Sequence, residues 1–194
     1  MTEREVLLTG IGGQGVQLAT QVLAAAAVLE GRDVLLFGIY GGAMRGMNTD
    51  GTVVVGDGPI QSPPLLSTTW SAIAMHDRYW APIAPKVRDG GVVVVNEATF
   101  GAPLDDTRYH VYRVRATELA AQAGDELATS MVIVGAYAAV TGLVGLDALL
   151  AAMRESVPAY RRQHLERNEA ALRIGAEALD SLAVPAWSEE LARP

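Results

Sequence analysis

Gly10-Ile11-Gly12-Gly13-Gln14-Gly15 places three glycines at the spacing G-x-G-x-x-G. Where side chains are missing, backbone N–H groups can approach a phosphate, and a helix that starts at such a turn adds partial positive charge from its amino end. The surroundings suit this chemistry: the apolar run Glu5 to Thr9 precedes the turn, and Val16 to Leu29, rich in Ala, Leu and Gln, follows it. That order reads as strand, turn and helix. A dinucleotide site also requires an Asp or Glu at the end of the second strand, about 20 residues on, to hold the ribose hydroxyls. Leu35 to Met44 contains no acid, which argues against NAD binding of that kind. Gln14 offers an amide that could point at a ligand or a partner instead. Gly10, Gly12, Gly13, Gln14 and Gly15 are therefore candidate contact residues, the alternative being that the glycines only permit tight packing of strand, helix and a neighbouring loop.

A second constellation is Tyr40-Gly41-Gly42-Ala43-Met44-Arg45-Gly46-Met47-Asn48, a glycine-rich segment with one cation and several hydrogen-bonding groups. Arg45 could fork onto a phosphate or carboxylate while the flanking glycines let the backbone come close. Placed beside the first turn, this segment would complete a joint crevice, with Tyr40, Met44, Arg45, Gly46 and Asn48 as its candidate contacts. The alternative is an arginine paired with a local acid such as Asp50, in a loop ordered only by a partner.

No residue is assigned a catalytic role. Glu97 and Asp77 each follow a strand, Asp77 directly after His76, but neither has a second carboxylate for acid-base work. The sequence has no cysteine, which excludes a thiolate nucleophile, a disulfide framework and an iron-sulfur cluster held by this chain alone. Its three histidines, His76, His110 and His164, are scattered, so no metal site is expected. The net charge of −7 is spread over mixed-sign segments and exerts no general pull toward nucleic acid or an anionic membrane. Leu127 to Leu146 is uncharged, yet its hydroxyl residues and glycines fit a helix buried in the protein better than a bilayer span. The start of the chain shows no secretory pattern, and a cytoplasmic location is expected.

These residues must be positioned by a scaffold whose elements alternate along the first two thirds of the sequence. Asp33 to Phe37 reads as a second strand, closing a βαβ unit that calls for a parallel, right-handed crossover. Thr52 to Val55, Ala72 to Met75, Val92 to Asn96 and His110 to Val114 read as further strands. A short, irregular helix fits Tyr79 to Val87, and Pro59 to Thr69 reads as a surface run. From Thr117 the pattern turns helical: one helix to near Gly124, a second over Glu126 to Gly142, a third over Leu146 to Ser156. The last runs from about Pro158 to Leu182, with Leu165, Leu172, Ala176, Leu179 and Ala183 on one stripe. The expected fold is α/β, a Rossmann-like three-layer domain with a mostly parallel sheet and a helical C-terminal part. Residues 1–184 form one domain and 185–194 a tail, an arm or a frayed end.

The chain resembles the gamma subunit, or gamma-type domain, of the pyruvate and 2-ketoisovalerate ferredoxin oxidoreductase family. The resemblance rests on the Gly10 to Gly15 turn with Val16, on Tyr40-Gly41 with Met44-Arg45-Gly46, and on Pro59-Ile60 with Ser62-Pro63. It continues through Val111 to Val114, Thr117 to Ala120, Met131 to Gly135 and Asn168 to Gly175. It implies a cytoplasmic hetero-oligomer in which thiamine diphosphate and Mg lie between alpha-type and beta-type subunits. There a 2-oxoacid is decarboxylated, electrons pass through iron-sulfur clusters to ferredoxin, and the acyl group goes to coenzyme A. The gamma-type piece is implied to help enclose coenzyme A and the active centre, binding no cofactor alone. The family's loop usually reads Tyr-Gly-x-Glu-x-Arg-Gly-Gly, whereas this chain has Ala43 and Met47 at the acid and the second glycine. An independent NAD(P)-binding module and a non-catalytic assembly scaffold are the competing readings.

Overall fold

The structure is a computed structural model that describes residues 1–40, 46–157 and 163–187. Six strands form one sheet: β1 (Glu3–Ile11), β2 (Asp33–Tyr40), β3 (Asn48–Gly56), β4 (Thr69–Ala74), β5 (Val87–Asn96) and β6 (His110–Val114), in the order β2-β3-β1-β4-β5-β6. β1, β4, β5 and β6 pair in parallel, while β3 pairs antiparallel with both β1 and β2. Five of the six strands thus share one direction, as expected of a mostly parallel sheet. The expected βαβ unit is modified, because β1 and β2 run the same way but β3 lies between them. Asp33 faces Gly56 at one end of the β2–β3 pair and Tyr40 faces Thr49 at the other.

The central strands are apolar on consecutive residues because both faces of the sheet are covered. Val6, Leu8, Val53, Val55, Val92 and Val94 join the larger core with five α-helices: α1 (Val16–Leu29), α2 (Ala116–Gln122), α3 (Thr129–Thr141), α4 (Leu146–Ser156) and α5 (Leu165–Ala176). Leu7, Val54, Ala72, Ala74, Val93 and Val95 face the other way, against Trp80, Ile83 and Tyr109. That side is covered by loops and by short 3-10 turns at Asp77–Tyr79 and Ala84–Lys86, while a third at Glu97–Thr99 follows β5 beside α2. The segment read as an irregular helix from Tyr79 to Val87 is in fact two such turns, the second carrying Pro85 near its start. A single proline ring already removes one helical hydrogen bond.

Helix α3 is buried nearly all round, which explains its uniformly apolar sequence. Among the described residues no helix is long and apolar enough to cross a membrane. The last helix ends at Ala176 rather than near Leu182, its expected start at Pro158 lies outside the described residues, and Ala183 is exposed. Beyond Ala176 the chain leaves helical geometry, and Leu182 has φ of 52°. The N–H groups of Leu182, Val184 and Ala186 then donate to the carbonyls of Ala139, Val140 and Thr141 at 2.7, 3.1 and 2.6 Å. These carbonyls belong to the last turn of α3 and have no partner within their own helix. Satisfying them offsets the residues lost from α5, and it seats Ala186 fully inside the core. Trp187 follows, donating its indole N–H to the Leu143 carbonyl at 3.1 Å beneath the guanidinium of Arg32.

Candidate functional site

Because β1, β4, β5 and β6 run in parallel, their carboxyl ends meet along one edge of the sheet, and the glycine turn emerges there from β1. Gly13 sits at the exposed tip with φ of 108° and open space where a side chain would stand. Gly10 is glycine for a different reason: a Cβ there would lie 2.8 Å from Val16 Cγ2 and 3.0 Å from Met75 Cβ. Gly15 is the N-cap of α1, with φ of 77°. A side chain at that position would collide with the hydroxyl of Ser130, 2.4 Å away.

The outward-pointing role expected of Gln14 needs correction. Its Oε1 accepts from the Ile11 N–H at 2.9 Å, and its Nε2 donates to the Met75 carbonyl at 3.3 Å. The amide therefore closes the turn onto β1 and ties it to the end of β4. Both packing and open backbone are present in this turn, divided among its residues.

The second segment lies directly alongside. Gly12 N–H donates to the Met47 carbonyl at 2.8 Å, and Gly46 N–H donates to the Gly12 carbonyl at 3.3 Å. Asn48 continues the contact as the register partner of Ile11. Tyr40 ends β2 opposite Thr49, while Met44 and Arg45 lie outside the described residues. The Asn48 amide donates to Asp50 at 2.8 Å, and Asp50 also accepts from the Thr9 hydroxyl at 2.7 Å. A carboxylate can only accept, so this contact fixes which way the amide points. Asn48 Oδ1 is then buried with no hydrogen-bond donor among the described residues.

Polar groups from the other strand ends fill the rest of this edge. Asn96, the last residue of β5, is buried and donates to the hydroxyls of Thr99 and Thr117 at 2.9 and 3.1 Å. Thr99 in turn donates to the Met75 carbonyl at 2.5 Å. Asp77 accepts from the Gly101 N–H at 3.0 Å, and His76 Nδ1 lies 2.9 Å from the other Asp77 oxygen. The same ring nitrogen is 3.1 Å from the Arg78 N–H. The two contacts need opposite states of Nδ1, which donates to the carboxylate when protonated and accepts from the amide when bare. Glu97 is exposed at the start of its 3-10 turn. Asn96, Thr99, Thr117 and Ser130 stand near this edge without belonging to either glycine segment. Only Asn96 carried a signal, as a lone amide ending an apolar run.

An open-sided cavity of about 580 Å³ lies elsewhere, lined among others by Asp89, Asp105, Asp106, Arg108 and His110. It sits at the amino ends of β5 and β6, at the opposite edge from the glycine segments. Arg108 pairs with Asp89 at 2.5 Å there, so much of its charge is already compensated.

Residues 5–178 match the sequence model of the family described as pyruvate ferredoxin/flavodoxin oxidoreductase. The chain belongs to that family. Among its relatives is the pyruvate synthase subunit PorC of Methanothermobacter thermautotrophicus, 26% identical over 182 residues that cover 93% of this chain and 98% of the relative. The 2-oxoglutarate synthase subunit KorC of the same organism is 29% identical over 182 residues, 91% of this chain and 95% of the relative. Among solved structures, the gamma subunit of a keto/oxoacid ferredoxin oxidoreductase from Geobacter sulfurreducens superposes with a TM-score of 0.76 at 27% identity, covering 92% of this chain and 97% of that one. The family match spans both glycine segments and reaches past the end of α5.

Proposed function

We propose that the chain is the gamma-type subunit of a 2-oxoacid:ferredoxin oxidoreductase, an enzyme that decarboxylates a 2-oxoacid oxidatively to an acyl-coenzyme A. Alpha-type and beta-type subunits would supply the thiamine diphosphate, Mg and iron-sulfur centres. A chain without cysteine has no thiolate with which to hold a cluster, so those ligands come from other chains. The part assigned to this chain is to enclose coenzyme A and the active centre, using Gly10 to Gly15 and Tyr40 to Asn48 as its wall.

The observation that carries this reading is the pair of backbone hydrogen bonds joining Gly12 to Gly46 and Met47, with Gly13 open beside them. Two side-chain-poor segments locked together at the carboxyl edge make a surface that a polar carrier or a partner backbone can approach closely. In this role the chain orients and excludes water, without touching the reacting bond. The competing NAD(P) reading is disfavoured by the missing acid between Leu35 and Met44.

The test is co-expression with neighbouring thiamine-binding subunits. The isolated chain should be inactive, and the assembled complex should turn over a 2-oxoacid with coenzyme A. In that complex Arg45→Ala should weaken coenzyme A binding in calorimetry. Unchanged affinity would favour a purely structural scaffold, and a self-sufficient active monomer would overturn the proposal.

A further inference from the structure

The sheet ends in two edge strands that are built differently. At one edge, β6 is five residues long and carries His110 and Arg113, with Arg113 paired to Asp106 at 3.4 Å. A short, charged strand is one way in which natural sheets keep further strands from adding. At the other edge, β2 runs for eight residues, and its only charge is Asp33 at the first position. It holds neither lysine nor proline, and its pairing with β3 runs through without a bulge.

The backbone of β2 is satisfied on one side only. Its ladder goes to β3, and the N–H and C=O groups that alternate outward find no partner among the described residues. Val34 packs against the larger core on the helical side, and Leu35 against the smaller core on the other. Leu36 lies on the same face as Val34, yet it is 47% exposed. Val34 to Tyr40 is an uncharged, proline-free run, and with an open ladder such a run invites disordered aggregation unless a defined strand occupies it.

The pattern of β2 suits a second copy of itself. Two antiparallel strands related by a two-fold axis normal to the sheet bring residues of the same face opposite one another. With the axis at Leu36, Leu36 opposes its own copy, Leu35 opposes Phe37, Val34 opposes Gly38 and Asp33 opposes Ile39. No charge then meets a charge of the same sign. The two Asp33 positions stand about 20 Å apart at the usual rise per residue, well beyond a screening length of about 8 Å in physiological salt. The register also uses β2 along nearly its whole length.

We propose that β2 pairs antiparallel with β2 of a second copy of this chain, about a two-fold axis at Leu36, joining two six-stranded sheets edge to edge. This contact does not rest on the function proposed above.

Sedimentation equilibrium of the full-length chain should show a concentration-dependent exchange between monomer and dimer. Leu36→Lys, which sets two ammonium groups opposite each other, should weaken the dimer about tenfold, and an equimolar mixture with Leu36→Glu should restore association. Because the chain has no cysteine, a single introduced thiol reports the register directly. Opposed Cα atoms in such a pair lie about 4.5–5.5 Å apart, a span that a disulfide bridges. Leu36→Cys should therefore oxidise rapidly to a covalent dimer. Leu127→Cys, more exposed but placed beside α2 and α5, should not. If Leu36→Lys fails to fold, wild-type sedimentation and the two thiol variants decide the question. A wild-type chain that stays monomeric at every concentration, or equal oxidation of the two thiol variants, would overturn the proposal. A chain that is monomeric alone, but whose assembly with alpha-type and beta-type subunits is lost in Leu36→Lys, would overturn it too and assign the edge to a strand of another subunit.

Discussion

Gly135 of α3 and Gly175 of α5 hold their helices at backbone contact. A Cβ on Gly135 would lie 2.2 Å from the Leu172 carbonyl oxygen, and one on Gly175 would lie 2.1 Å from that of Val132. Both obstacles are backbone, which cannot rotate aside, so the helices must separate to admit a methyl group. Gly135→Ala and Gly175→Ala should each destabilise the chain by about 2 kcal/mol or more, in the range of core overpacking. The double variant should lose less than the sum, since one separation accommodates both methyls. Urea denaturation of the three variants measures this, and strict additivity would contradict the shared contact.

The glycine turn separates backbone strain from steric collision. Gly13 and Gly15 both have positive φ, but only Gly15 faces an obstacle. Gly13→Ala should cost about 1 kcal/mol, the penalty of a left-handed alanine. Gly15→Ala should cost clearly more, and combining it with Ser130→Ala should recover part of the excess. Thermal denaturation of the set would show equal costs if the Ser130 contact were unimportant.

At the opposite edge, Glu5 is 5% exposed and pairs with Arg88, and it accepts from the Trp70 N–H at 3.1 Å. Arg88→Ala leaves this carboxylate buried with only the amide partner. Because Arg88 itself is partly exposed, the expected loss is roughly 1–3 kcal/mol, below that of a fully buried pair. Glu5→Gln in the Arg88→Ala background should restore part of it, and a chemical-denaturation cycle would report no recovery if desolvation of Glu5 were irrelevant.

Burial pushes the Glu3 carboxyl up, but hydrogen bonds from Ser62 and from the Gln61 and Ser62 N–H groups outweigh it and hold Glu3 below its ordinary value. A carboxylate with a lowered folded-state pKa stabilises the fold above the ordinary carboxylate range, and that contribution fades as pH falls through it. Wild type should therefore lose more stability than Glu3→Gln between neutral pH and pH about 3. Parallel denaturation curves would show identical pH slopes if the Pro59 to Pro63 run were not anchored by Glu3.

Local pattern made much of the scaffold legible. Val16 to Leu29, Leu146 to Ser156 and His110 to Val114 are found with the bounds that composition suggested. The place of β3 is not legible, because Thr52 to Val55 reads as a strand whichever neighbours it pairs with, and its start at Asn48 falls in the segment read as irregular. The end of α5 was also hidden. Its apolar stripe continues past Ala176, and only the unpaired carbonyls of α3 draw the chain away. At the candidate site, the turn glycines could be read from spacing and context. The inward amide of Gln14 and the hydroxyl of Ser130 depend on contacts between residues far apart in sequence.

The antiparallel course of β3 anchors the segment after Tyr40 on both sides, through Tyr40 and Thr49 across the hairpin and through Asn48 and Ile11 across to β1. The registers of β1, β2 and β3 are therefore set by residues outside that segment. Met47 falls between these anchors and is held to Gly12 through its backbone carbonyl, so its side chain can change while that contact is kept.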